Sequence, residues 1–96
     1  MKFEINTELV IAKGANIAQG VSLFNHLTFS GYDHCCMTCG GHYVRVDVYS
    51  DTQQQADEVC GLASHYLNGD WSVESKFYPD PENPFWYTEF YLSLRY

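Results

Sequence analysis

The hydrophobic periodicities along the chain predict an α+β fold, an antiparallel sheet with two helices packed on one of its faces. Three observations carry that prediction. Residues 42–49 alternate, with Val44, Val46 and Val48 on one side and Tyr43, Arg45, Asp47 and Tyr49 on the other, as a half-buried strand requires. Ala56, Val59, Cys60, Ala63, Tyr66 and Leu67 recur at helical spacing and form an apolar stripe. Gly40-Gly41 and the cluster Pro79, Pro81 and Pro84 punctuate the remaining apolar segments as turns between strands.

Taken in order, Phe3 and Ile5 alternate with Lys2, Glu4 and Asn6. This predicts a first strand that continues through Leu9–Ile11 until Lys13-Gly14 breaks it. Ile17, Val21, Phe24 and Leu27/Thr28 then predict a helix, which Gly20 weakens by about 1 kcal/mol relative to alanine and Ser30-Gly31 closes. Tyr32–Met37 and His42–Tyr49 read as two strands joined by Thr38-Cys39-Gly40-Gly41, where glycine supplies a positive φ. Asp51 or Thr52 caps the second helix and Asn68-Gly69 ends it in the usual C-terminal way. Trp71, Val73 and Phe77 are expected on the inner face of one final strand, and Trp86, Phe90, Leu92 and Leu94 on that of the other. The order β-α-β-β-α-β-β resembles a ferredoxin-like fold with one added C-terminal strand, one compact domain over residues 1–96.

Composition narrows the function. In 96 residues, 46% apolar and 17% aromatic content is enough for a core without compulsory disulfides or metal. Asp and Glu number 12 against 5 Lys and Arg, giving a formal net charge of -7. Such a surface repels nucleic acid and anionic membrane, so the expected partner is a basic protein surface. No run approaches the ~18 apolar residues of a membrane span. Glu4 and Glu8 stand where a signal peptide needs a basic flank and an apolar stretch. A cytoplasmic chain follows as the expectation, with its four cysteines reduced or metal-bound.

The helix-free face of such a sheet would display Tyr43, Tyr49, Tyr78, Tyr87 and Tyr91 among Arg45, Asp47, Glu74, Lys76 and Glu89. Tyrosine suits an interface because it buries a large area at low rotamer cost and keeps a hydroxyl to bond. β-propensity alone also accounts for outward tyrosines. Sheet aromatics stack RNA bases in some domains, but in basic surroundings that are absent here. Further carboxylates cluster at Asp57 and Glu58 on the second helix and at Asp80 and Glu82 in the last hairpin loop. The partner-binding candidates are therefore Asp57, Glu58, Asp80, Glu82, Glu74, Glu89, Tyr43, Tyr78, Tyr87 and Tyr91.

A second constellation runs from His34 through Cys35, Cys36 and Cys39 to His42. Cys36-x-x-Cys39 in a Gly-rich turn has the form of a zinc knuckle, with Cys36, Cys39 and His42 as candidate ligands and one ligand from elsewhere. Cys60 and His65 lie about 140° apart around a helix, so both cannot face one ion. Cys60 reads as a buried core cysteine. Adjacent Cys35 and Cys36 point to opposite faces of a regular strand. No second CxxC is present, and zinc is the sole cofactor the sequence suggests. A redox CxxC belongs at a helix N-terminus, which Gly40-Gly41 and a following strand do not provide. A cysteine hydrolase needs a paired base, for which His34 and His42 qualify by proximity in sequence alone. There is no phosphate loop, GxSxG, HExxH or Asp-rich metal loop. The expectation is a non-enzymatic protein.

In size, acidity and absence of catalytic motifs the chain resembles the small counter-defence proteins of phages and mobile elements, the anti-CRISPR and antirestriction proteins. That grouping has no shared motif, so the resemblance carries over no residue. It implies an acidic inhibitor, a nucleic-acid mimic that occupies a basic, nucleic-acid-binding surface of a host defence or nucleic-acid-processing complex or blocks a conformational step of it. Its place is the bacterial host cytoplasm if the chain is phage-encoded. A small zinc-binding domain built on the Cys36-x-x-Cys39 hairpin is the alternative, and a cysteine-dependent hydrolase or redox protein a second.

Overall fold

The computed structural model describes the backbone of residues 7–32 and 34–94, and the side chains from Gly14 onward within that range. The strand predicted for Phe3 and Ile5 lies outside the described residues. The elements are α1 (Thr7–Phe29), β1 (Cys35–Cys39), β2 (Tyr43–Ser50), α2 (Gln53–Tyr66), β3 (Trp71–Tyr78) and β4 (Phe85–Ser93). The four strands form one antiparallel sheet in the order β1-β2-β4-β3. The C-terminal strand is thus central rather than appended. Because β2 is paired with β1 on one edge and β4 on the other, β4 holds the place beside it that a ferredoxin-like arrangement gives to the first strand.

Both helices lie on one face. Leu23 and Leu27 of α1 and Val59 of α2 pack against Val44, Val46, Val48, Trp71, Phe90 and Leu92 of the sheet. The alternation of β2 has become its burial pattern, with all three valines at most 1% exposed.

α1 is longer than its pattern suggests. It runs without interruption through Leu9–Ile11, predicted as strand, and through Lys13-Gly14, predicted as a break. A lone glycine costs a helix only about 1 kcal/mol, too little to end it without a proline or a cap. From Gly14 onward, the buried residues of α1 are Asn16, Gly20, Leu23 and Leu27, whereas Val21 is 41% exposed and Ile17 and Phe24 flank the core half-buried. The true stripe was disguised because two of its members are not apolar. At Gly20 a Cβ would stand 2.7 Å from Trp71 Cη2, so glycine lets the helix approach the indole. Asn16 accepts from Asn68 Nδ2 at 2.7 Å and donates to Asp70 Oδ2 at 3.2 Å, fastening the α2–β3 connection to α1. Gly31, at φ 89, closes the helix as expected, with Tyr32 N–H donating to Leu27 O at 3.1 Å.

The first hairpin is shifted from its prediction. β1 begins at Cys35 rather than Tyr32, and Thr38 and Cys39 belong to the strand, leaving the turn to Gly40, Gly41 and His42. No glycine there has positive φ; at Gly40 a Cβ would lie 2.6 Å from Tyr43 Cε1, so glycine leaves room for the Tyr43 ring as it stands. In α2, Thr52 is the cap, accepting from Gln55 N–H while Gln55 Oε1 accepts from Thr52 N–H. The helix ends at Tyr66, with Leu67 as an extended C-cap at φ -114, so Gly69 does not serve as its terminator. Ala56 and Val59 are buried, Cys60 is half-buried rather than a core residue, and Leu62, outside the predicted stripe, packs on the core. Tyr66 OH meets His26 Nδ1 at 2.9 Å, tying the two helices together.

In β3, Trp71 is buried as predicted, but Val73 and Phe77 are 40% and 49% exposed. β3 is an edge strand, and the helices cover it only at its Trp71 end. Val73 and Phe77 do face the helix side, since they pair with Phe90 and Trp86, but they stay outside the buried core.

Candidate functional site

The register builds the helix-free face in rows across the strands. Asp47 of β2 pairs with Glu89 of β4, and Glu89 pairs with Glu74 of β3, so three carboxylates stand side by side. Next to them on one side run Arg45, Tyr91 and Ser72, and on the other Tyr49, Tyr87 and Lys76. Tyr78 and Phe85 pair beyond that.

Like charges directly opposite one another destabilise a sheet, so the row needs compensation. Arg45 Nε meets Asp47 Oδ2 at 2.9 Å, and Lys76 Nζ meets Glu74 Oε1 at 3.1 Å. Tyr87 OH donates to Asp47 Oδ1 at 2.5 Å and lies 3.2 Å from Glu89 Oε2. One phenolic proton serves the closer oxygen first, which leaves the central Glu89 the least compensated of the three. Asp47 itself is only 7% exposed.

Burial, then the hydrogen bond to Asp47 and the charges of Asp47 and Glu89, push the Tyr87 phenol well above its ordinary pKa. The charge of Asp47 holds the Arg45 guanidinium more firmly protonated, and the hydrogen bond to Glu74 does the same for Lys76.

Aromatic rings flank the acids on both sides. Tyr78 stacks on Phe85 at 5.1 Å, Tyr49 tilts against Phe85 and Tyr87 at 5.5 and 5.2 Å, and Tyr78 meets Tyr87 edge-on at 6.3 Å. These four rings line an open recess of about 380 Å³. On the opposite flank Tyr43 stacks on Tyr91 at 5.7 Å, with the Arg45 guanidinium 5.8 Å above the Tyr43 ring. Carboxylates beside π faces attract cations, and guanidinium groups above all, since they stack and donate in one plane.

Six of the predicted partner-binding residues, Glu74, Glu89, Tyr43, Tyr78, Tyr87 and Tyr91, therefore share this face. The other four do not. Asp57 and Glu58 are exposed on α2, in the helix layer. Asp80 and Glu82 occupy the β3–β4 loop, where Asp80 Oδ1 accepts from the backbone N–H of Glu82 and Asn83 at 2.9 and 3.2 Å and shapes the turn. Phe85 was missed because it follows Pro84 at the strand start; its two-residue spacing from Tyr87 was the available signal.

The Cys/His constellation is separated by strand geometry. Cys36 and Cys39 lie within β1 rather than in a turn. Cys36 pairs with Asp47 on the helix-free face, while Cys39 pairs with Val44 on the helix side, so the two thiols diverge. His42 is exposed in the turn beyond them. No group of three or more His, Cys, Asp or Glu side chains among the described residues is arranged to hold a metal ion. Cys35 turns inward, its Sγ 3.2 Å from Tyr32 O and 3.5 Å from Thr28 Oγ1. His34, Cys36 and Asp51 border an open recess of about 520 Å³ that adjoins the aromatic cluster at Tyr49 and Phe85.

No family model, no curated protein and no solved structure matches the chain. Among the described residues no helix is long and apolar enough to cross a membrane.

Proposed function

We propose that the chain is a non-enzymatic protein-binding inhibitor. It docks the helix-free sheet face on a basic, nucleic-acid-binding surface of a host defence or nucleic-acid-processing complex, as anti-CRISPR-like proteins do. The observation that carries this reading is the row Asp47–Glu89–Glu74 set between two groups of tyrosines. Strand spacing of about 4.8 Å presents Glu89 and Glu74 as neighbouring anions, which can take the place of phosphates before Arg and Lys side chains, while the buried Asp47 holds Arg45 and Tyr87 in place beside them. The net charge of -7 steers the encounter, and the rings supply contact area that needs little further ordering.

The test begins with tagged protein in nuclease-treated bacterial lysate, eluted at graded salt. The expected capture is a basic nucleic-acid-binding complex that is released as salt rises. The purified complex must then lose nucleic acid binding when the protein is added. It must keep that binding when Glu74→Lys/Glu89→Lys is added instead. A captured complex that binds nucleic acid equally well in the presence of saturating protein would refute the reading.

A further inference from the structure

We infer that the outer edge of β3 is a self-association edge, and that a second copy of this chain pairs with it antiparallel to form one continuous sheet. β3 is eight residues long and has no strand on its outer side among the described residues. A long unpaired edge is a template for strand addition, and proteins blunt such edges with inward charges, bulges or prolines. β3 contains no proline, and its one cation, Lys76, is matched on the same strand by Glu74.

The residues along the edge are self-complementary about Ser75. In a two-fold pairing with Ser75 opposite Ser75 of the second copy, Glu74 faces Lys76 and Lys76 faces Glu74. Val73 faces Phe77 and Phe77 faces Val73. Sliding the register two residues either way sets Glu74 against Glu74 or Lys76 against Lys76. One-residue slips would turn the helix side of one copy towards the open side of the other. Only the Ser75 register therefore joins opposite charges and apolar side chains together while keeping the sheet continuous.

Exposure fits the same pairing. Val73 and Phe77 are the exposed large apolar residues on the helix side of β3, at 40% and 49%, and the Phe77 ring lies 5.1 Å from Trp86. The second copy would cover each of them from the side. On the other face, the Glu74 and Lys76 side chains, 64% and 59% exposed, would form a four-charge cluster across the two-fold. This surface shares Glu74 with the carboxylate row but pairs through the strand edge and the Val73 and Phe77 side chains, so self-association can be read without the partner of the proposed inhibitor function. Each copy carries -7, so the dimer should tighten with salt, opposite to docking on a basic partner.

The test is sedimentation equilibrium of the full chain from micromolar to millimolar concentration, at low and raised salt. The expected result is a monomer–dimer equilibrium that shifts towards dimer as salt screens the net charge. Glu74→Lys and Lys76→Glu each place like charges opposite one another twice and should weaken the dimer about tenfold or more. Mixed one to one, the two variants restore opposite pairing at both positions and should form a heterodimer, with circular dichroism confirming that each is folded. A wild-type chain that stays monomeric throughout would overturn the proposal. So would a dimer indifferent to both reversals, or a mixture that associates no better than its components.

Discussion

The Tyr87 hydroxyl donates to Asp47 Oδ1 at 2.5 Å across the β2–β4 pairing, from the row of rings into the row of carboxylates. This bond joins the aromatic and acidic halves of the face, and it sets how the phenol titrates. Burial and two nearby carboxylates raise its pKa. A group whose folded pKa exceeds its unfolded one stabilises the fold fully below the unfolded value, about 10 for tyrosine. That contribution is lost as pH climbs through the folded value. In an absorbance titration at alkaline pH, the Tyr87 phenol should therefore ionise late, together with loss of structure. Tyr87→Phe should remove this late step and cost about 1–3 kcal/mol, because Asp47 keeps its burial and loses a donor.

Two glycines of α1 should respond differently to alanine. At Gly14 a Cβ meets nothing within 4 Å, so Gly14→Ala should gain the helix-propensity difference of about 1 kcal/mol and raise Tm by roughly 4–8 °C. At Gly20 the same gain is opposed by overlap with Trp71, whose ring is only 7% exposed and has little room to swing aside. Overpacking of this kind costs about 1–3 kcal/mol, so Gly20→Ala should be neutral to destabilising. Thermal unfolding of the pair tests whether close approach, rather than chain flexibility, accounts for Gly20.

Gly20 also shows where the sequence stopped being readable. Strands and helices that present an unbroken apolar period, such as Val44–Val46–Val48 and Ala56–Val59, were legible, and so was the tyrosine–carboxylate face opposite the valines. α1 was not, because its buried side includes Asn16 and Gly20, residues chosen for a hydrogen bond and for a close contact that exist only in the folded chain. Local glycines misled in the same way at Gly14 and Gly40, where conformational freedom is not what the position uses. The carboxylate row required the β2–β4–β3 order, which no local pattern encodes. The Cys36-x-x-Cys39 motif looked cohesive only while it was read as a turn; as a strand it sends its two thiols to different faces.

Thiol accessibility follows from that geometry. Cys36 and Cys39 are exposed, whereas Cys35 and Cys60 are half-buried and Cys35 also bonds Tyr32 O. Alkylation of the folded chain, read by mass spectrometry, should label Cys36 and Cys39 first and reach all four only in denaturant. Added zinc should not protect Cys36 and Cys39 together, and Cys36→Ser should change Tm little. Joint protection by zinc would instead show that β1 rearranges to bring both thiols to one ion.

Two charge reversals separate steering from contact. Glu58→Lys on α2 and Glu89→Lys at the centre of the carboxylate row change the net charge equally, but only Glu89 lies on the proposed docking face. Long-range attraction depends on the summed charge, so both variants should slow association with an arginine-rich peptide by a similar, modest factor that vanishes at high salt. Short-range contact depends on position. Glu89→Lys should raise the dissociation rate at least about tenfold, since a hydrogen bond to a charged group contributes about 1.5–3 kcal/mol. Glu58→Lys should leave dissociation unchanged. Tyr78→Ala should also speed dissociation, without altering the salt dependence, because it removes a stacking ring and no charge. Equal dissociation rates for the Glu58 and Glu89 variants in surface-binding kinetics would move the docking face away from the sheet and towards the helix layer.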